Sequence, residues 1–307
     1  MTRRVCIIDT DPGTDDAVAL WLALAAPALD VRLVTVAGGN VGLDHTLRNA
    51  RAIVGLAGRT PPVVAGAEGP LLGAFTPETR VHGADGLAGV ALPHGPAAAP
   101  GIAADAIRDL LRAEPRVTLV GIGPATNLAL ALATEPALAG RVEEIVLMTG
   151  AWAEGNITPS AEFNAWSDPE SLAVLLACGR PVTLATLELT AQALVTPDRL
   201  AALRARGGGA CLDAALRIMG GVPASRRFGH RGHPLHDPCA VAWLLAPRLF
   251  TTRDVHVHVD CGPGAARGRT VVDRWERSGA RPNARLLETL DADGFFALLG
   301  EFLSTLP

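Results

Sequence analysis

Residues 5–26 read VCIIDTDPGTDDAVALWLALAA, and this stretch decides the fold. Val5–Ile8 is a short apolar run, the pattern of a buried strand. Pro12 and Gly13 break it, and an apolar helix over Asp15–Ala26 follows. Four carboxylates, Asp9, Asp11, Asp15 and Asp16, crowd into eight residues across this turn. Two carboxylates sharing a site force one of them to take up a proton. A hard cation removes that conflict, because Ca²⁺ and Mg²⁺ seek clustered oxygens. The first turn of a helix also favours negative charge. One Asp here would read as a helix cap and Pro-Gly as an ordinary turn. Four carboxylates, two of them ahead of the turn, exceed what capping requires.

Outward from this unit, short β-branched runs alternate with helical patterns, the signature of a parallel sheet with crossover helices. Strands are expected at Val5–Ile8, Val31–Val36, Pro62–Val64, Val117–Val120, Glu144–Met148 and Val182–Ala185. Helices are expected near Asp15–Ala26, Leu43–Leu56, Ile102–Ala113, Thr126–Ala133 and Pro169–Ala177. Val255–Val259 and Arg269–Val272 read as later, antiparallel strands, and Leu290–Leu303 as a closing amphipathic helix. No flexible linker or internal repeat interrupts the chain. The expected fold class is therefore α/β, a single-domain open, mostly parallel sheet flanked by helices over residues 1–307. Two long irregular regions, Gly66–Pro100 and the Gly207–Gly209 run together with Gly220–Pro234, are of the kind that carries function. Ligands of open parallel sheets bind outside the carboxyl ends of the strands. Asp9–Asp16, Gly38-Gly39-Asn40, GIGPATN (121–127) and TGAWAEGN (149–156) follow the first, second, fourth and fifth strands, so one shared site is expected.

Composition excludes several classes. A formal net charge of -4 leaves no basic footprint for nucleic acid. No apolar run approaches the ~20 residues of a membrane helix, and the start is too polar for a signal peptide. The five cysteines are scattered without a C-x-x-C pair. That argues for reduced thiols in the cytoplasm and against zinc. The chain has neither lysine nor tyrosine. Walker-type phosphate loops, Schiff-base catalysis and any mechanism using a tyrosine hydroxyl are excluded with them.

The remaining motifs each have a plain reading. Asn40 after two glycines suits a left-handed turn, and GIGPATN an ordinary strand-to-helix turn. EGNITPSAEFNAWSDPE (154–170) reads as a solvated loop with Ser167 or Asp168 capping the next helix. His236-Asp237 before Pro238 reads as a surface histidine beside a capping Asp. Taken in order, however, DTDPGTDDAVAL, Gly-Gly-Asn, VHGADGL, GPATN, EIVLMTGA, EGN…AEFN, DPES and the late His-Asp span nearly the whole chain. The set resembles the nucleoside hydrolases of the inosine–uridine-preferring family, with the first and the AEFN segments the most specific.

The resemblance implies Ca²⁺-dependent hydrolysis of the N-glycosidic bond of ribonucleosides, in nucleoside catabolism, by a cytoplasmic homodimer or homotetramer. It implies Ca²⁺ bound by Asp11, Asp16, Asp237 and the carbonyl of Ile122, oxygen donors that water and the sugar diol would complete. Asp11 would also deprotonate the attacking water. Asp15 and Asn40 would hold ribose hydroxyls, and Asn156, Glu162 and Asn164 the other ribose oxygens. Asp9 would orient the loop. The reaction would resemble that of an inverting glycosidase, through an oxocarbenium-like transition state. His236 is the candidate acid for the departing base, since imidazole titrates near working pH. His82 is a second candidate in the base pocket, beside the alternative of a loop histidine with a structural hydrogen bond.

The loop ASRRFGHRGHPLHD (224–237) departs from the pattern, with Phe228 in a loop where several relatives carry tyrosines, and with several added basic residues. Phe228 can stack on a base but donates no hydrogen bond, and His230 or His233 could share the acid role. Trp152 and Trp166 are stacking candidates or core residues. Base preference stays open. A haloacid-dehalogenase-like phosphatase also ends its first strand in D-T-D. It needs Thr or Val two positions later, where Gly13 stands, and generally a lysine. A non-catalytic calcium- or ribose-binding protein is the third reading.

Overall fold

The computed structural model describes residues 3–307 and is organised on one nine-stranded sheet. In chain order the strands are β1 (Arg4–Thr10), β2 (Leu29–Val36), β3 (Val63–Ala65), β4 (Val117–Gly121), β5 (Val142–Met148) and β6 (Val182–Ala185). There follow β7 (Leu194–Val195), β8 (His233–Pro234), β9 (Phe250–Val259), β10 (Thr270–Asp273) and β11 (Ala284–Leu290). The order across the sheet is β10-β9-β11-β6-β5-β4-β1-β2-β3, while β7 and β8 form a separate antiparallel pair. Every pairing from β11 through to β3 is parallel, and β9 and β10 extend the sheet antiparallel.

The expected α/β class holds, and the six early strands all form. β11 was not anticipated, although it lies between β9 and β6 in the body of the sheet. Its appearance also corrects the start of the closing helix. Leu290 ends β11, and Asp291 caps a helix over Ala292–Leu303 by accepting the Gly294 N–H at 3.0 Å.

Strand alternation divides the core. Cys6 and Ile8 join Val34, Val36, Val120 and Val146 in one buried cluster with the helix Thr14–Ala25 and the C-terminal helix. Ile7, Leu33, Leu119, Ile145 and Leu184 join the helices Ala103–Ala113 and Pro169–Ala177 on the other face. Every residue of Thr14–Ala25 is buried, which explains its unbroken apolar run. Trp21 is fully buried there and donates its indole N–H to the Ile53 carbonyl at 3.0 Å. All five cysteines are free thiols. Among the described residues, no helix is long and apolar enough to cross a membrane.

From β1 the chain winds outward through β2 and β3, then returns to place β4 on the other side of β1. The loops after β1 and β4 therefore part at a topological switch point, where such sheets leave a crevice. Asp9–Asp16 and Gly121–Asn127 meet there.

Candidate active site

The carboxylates after β1 are held by short-range backbone and side-chain donors. Asp16 Oδ1 accepts the Thr10 hydroxyl at 2.6 Å and the Asp11 N–H at 3.2 Å. Its Oδ2 accepts the Gly13 N–H at 2.9 Å and Asn40 Nδ2 at 3.1 Å. Asp11 Oδ2 accepts the Asn40 N–H at 2.7 Å, and Asn40 Nδ2 also reaches the Asp11 carbonyl at 3.1 Å. Asn40 thus clamps the acidic loop from the end of β2. It has a negative φ, so it is not the left-handed turn residue that two preceding glycines suggest. Below the cluster Asp9 accepts from Thr35 at 2.6 Å and from Asn127 at 2.9 Å. Burial pushes its carboxyl up to about 7 against those donors.

Asp11 Oδ1 is buried without any hydrogen-bond partner. It sits between Gly39 and Gly123. A Cβ on Gly39 would lie 2.0 Å from Asp11 Oδ2, and one on Gly123 would lie 2.4 Å from Oδ1. From the far end of the chain comes Asp237, at the start of the helix Pro238–Leu245. Its side chain makes no capping bond there, so the plain reading of it as a cap fails. Oxygens of Asp15, Asp16 and Asp237 all lie within 4.8 Å of one another. Asp11 stands outside that trio and Asp15 inside it, whereas the family pattern groups Asp11 with Asp16 and Asp237. Burial first, then Asp16, drives the Asp11 carboxyl well above the ordinary range. Burial, then Asp15, Asp16 and Asp11, does the same to Asp237. Four buried carboxylates, one with an orphaned oxygen, form an all-oxygen donor set that fits a hard divalent cation. The Ile122 carbonyl borders the same space and accepts Asn164 Nδ2 at 3.3 Å.

Above the cluster opens a cavity of about 360 Å³, of a size suited to a small molecule. Asp15, Asn40, His82, Ile122, Asn156, Glu162, Asn164, Phe228, His236 and Asp237 all line it. Asp11 and Asp16, fully buried, lie beneath. Glu162 caps the short helix Phe163–Ser167 and accepts backbone N–H groups of Gly150, Asn164 and Ala165 at 2.7–3.0 Å. Burial nevertheless raises its pKa. Asn156 Oδ1 accepts the Phe163 N–H at 2.9 Å, which leaves its amide N–H groups for the cavity.

His82 Nδ1 accepts the Thr14 N–H at 3.1 Å, which puts a neutral ring's proton on Nε2. His236 Nδ1 lies 2.6 Å from Thr190 Oγ1, and its backbone N–H donates to Asp15 Oδ2 at 3.3 Å. Burial lowers the His236 pKa against the opposing charge of Asp15. His233 lines the cavity, whereas exposed His230 does not. Neither tryptophan candidate faces it. Arg274 stacks 4.3 Å over Trp152, and Trp166 borders a separate hollow. Asp168 rather than Ser167 caps the next helix, accepting the Ser171 N–H at 3.1 Å.

Several supporting residues escaped the sequence reading. Thr10 and Thr14 lie inside the quoted motif, where a hydroxyl beside a carboxylate was the available signal. Thr190 and Glu78 carry no local pattern and enter the site only through the fold, and Arg227 was legible only as one of the loop's added basic residues.

Residues 6–297 match the family described as "Inosine-uridine preferring nucleoside hydrolase". The chain is 40% identical to the pyrimidine-specific ribonucleoside hydrolase RihA of Shewanella woodyi, over 99% of both chains. It is 41% identical to RihA of Citrobacter koseri, over 97% of both. Among solved structures, the purine-preferring ribonucleoside hydrolase from Gardnerella vaginalis superposes with a TM-score of 0.90 at 29% identity, covering 98% of each chain. The chain belongs to the inosine–uridine-preferring nucleoside hydrolase family.

Proposed function

We propose that this nucleoside hydrolase cleaves pyrimidine ribonucleosides to ribose and free base with the help of Ca²⁺. The observation that carries the reading is the buried acidic cluster, with its orphaned Asp11 oxygen, directly beneath a nucleoside-sized cavity. The RihA relatives at 40–41% identity are named pyrimidine-specific, which supports that base class over purines. Asp11, Asp16, Asp237 and the Ile122 carbonyl would hold the cation, with Asp15 close enough to share in it. When bound, the cation supplies charge neutralisation and lowers the pKa of nearby water.

The chain's own residues supply the rest. Asp11 takes the proton of the water that attacks the anomeric carbon. Asp15 and Asn40 hold ribose hydroxyls, and Asn156, Glu162 and Asn164 orient the remaining sugar oxygens. His236 protonates the departing base, and Thr190 fixes its ring. Such a transfer is worth ~10²–10⁴ in rate. Phe228 stacks on the base, and His82 borders the base side through the ring held by Thr14. Five free cysteines favour a reducing, cytoplasmic setting. Residues from Asp9 to Asp237 build one site, which supports reading the chain as one catalytic domain.

A panel of uridine, cytidine, inosine and a phosphoester, assayed with Ca²⁺ and with chelator, tests this. Uridine and cytidine are cleaved fastest and chelation stops turnover. Asp11→Ala abolishes hydrolysis with folding intact. Cleavage of the phosphoester alone, or full activity in chelator, overturns the reading.

A further inference from the structure

Three histidines line the cavity, and two are already committed. His82 is bonded to Thr14 and His236 to Thr190. His233 is only 8% exposed, yet no hydrogen bond reaches either ring nitrogen among the described residues. Neither ring nitrogen is among the buried atoms left without a partner, so both open onto the cavity, where a ligand can take the place of solvent on them.

The position is also rigid. β8 pairs His233 with Val195, and the Leu235 N–H donates to the Ala193 carbonyl at 3.0 Å. Gly232 packs so closely on Val195 that a Cβ there would lie 2.0 Å from its carbonyl oxygen. Phe228, by contrast, sits in a short turn on the outer part of the same loop. A group held on a paired strand is better placed to discriminate between ligands than one on a loop tip.

We propose that His233 reads the polar edge of the nucleobase, through hydrogen bonds to a heterocycle that presents a carbonyl, a ring N–H or an exocyclic amine. The proposal rests on the nucleoside hydrolase reading and names the group that sets base preference within it. Burial, opposed by Asp15, brings the imidazole down to about 4, so it is neutral near pH 7. A neutral imidazole carries one donor and one acceptor. Uracil and cytosine present opposite donors and acceptors at N3 and C4, so a given tautomer of the ring bonds the two bases differently. His236 keeps the acid role.

The test compares the full-length wild type with His233→Ala and His233→Gln in saturating Ca²⁺. Four substrates are used: uridine, cytidine, inosine and p-nitrophenyl riboside, whose leaving group has no base edge. His233→Ala is expected to lower kcat/KM for at least one pyrimidine nucleoside by about tenfold. The uridine-to-cytidine ratio shifts, and the p-nitrophenyl riboside loses less than the affected pyrimidine nucleoside. His233→Gln, which keeps a donor and an acceptor, restores part of the loss. An equal fall on all four substrates, or an unchanged uridine-to-cytidine ratio, overturns the proposal. If the Ala variant fails to fold, the ratio measured in the Gln variant decides by the same criterion. A wild type that cleaves none of the four fails the hydrolase reading itself, a result separable from any difference between variants.

Discussion

Gly123→Ala tests whether the position of the Asp11 carboxylate governs activity. The new methyl would stand 2.4 Å from Asp11 Oδ1, 2.9 Å from Cγ and 3.1 Å from the Asp11 nitrogen, where ordinary contact begins at 3.4 Å. The carboxylate therefore has to retreat by about 1 Å, since the other close atom is backbone. It cannot retreat freely, because Oδ2 is fixed by the Asn40 N–H at 2.7 Å and backed by Gly39. A displacement of ~1 Å at a reacting group costs on the order of 10² in rate. Overpacking of this kind also costs about 1–3 kcal/mol of stability. At ~2–4 °C per kcal/mol, the Tm falls by about 2–12 °C. The assay is kcat/KM for uridine in saturating Ca²⁺, with thermal melting in parallel. Gly140→Ala is the control, since a Cβ there meets nothing within 4 Å. Wild-type kcat/KM in Gly123→Ala, with unchanged melting, would refute the claim that this glycine shapes the carboxylate's seat.

Three further outcomes are expected. Wild-type enzyme prefers uridine over 2′-deoxyuridine by on the order of 10⁴, as for other sites built to bond a hydroxyl; Asp15→Ala collapses that ratio in paired kcat/KM measurements. Asp11 and Asp237 have folded pKa values raised above the ordinary 3.8, so their stability contribution is present below that value and is lost as pH rises. Melting in chelator should therefore move down in temperature as pH increases from about 4. Calcium at ~100 times its Kd adds about 2.7 kcal/mol, or ~5–11 °C, most strongly at the higher pH. Asp237→Asn removes most of that calcium shift. Thr190→Val, which deletes the partner of His236 Nδ1, is expected to lower kcat about tenfold and displace the pH–rate profile, with KM little changed.

How much of this was legible beforehand depended on how locally each feature is encoded. β1, its turn and the following helix are written in consecutive residues, and strand β6 and the helices Leu43–Leu56 and Pro169–Ala177 form with the expected bounds. β11 was passed over although Ala284–Leu290 is a central strand. Its pairing with β9 shifts register between Leu287 and Thr289, so the sequence ARLLETL lacks the strict alternation that marks a strand. The helix Pro197–Ala205 was also missed, despite Thr196 capping it and Pro197 opening it. Only one of its residues is fully buried, so it has almost no apolar stripe to detect. Thr190 was out of reach for a different reason. Its role exists only because the chain brings residue 236 back beside it.

The cluster's chemistry follows from where the fold can tolerate it. Four buried carboxylates on one edge of a core cost stability, and only part of that cost is recovered locally. Asp16 accepts four donors and Asp9 two, whereas Asp11 Oδ1 accepts none. The unsatisfied oxygen is therefore not a failure of local design, since the loop satisfies its neighbours around it. The switch point between β1 and β4 makes this arrangement possible, because the diverging loops leave room above the cluster that no side chain fills. Glycines at 39 and 123 keep that space open against the carboxylate itself. Replacing Asp11 by an apolar residue is therefore expected to make the cation-free protein more stable while abolishing hydrolysis, read by melting in chelator beside kcat/KM for uridine.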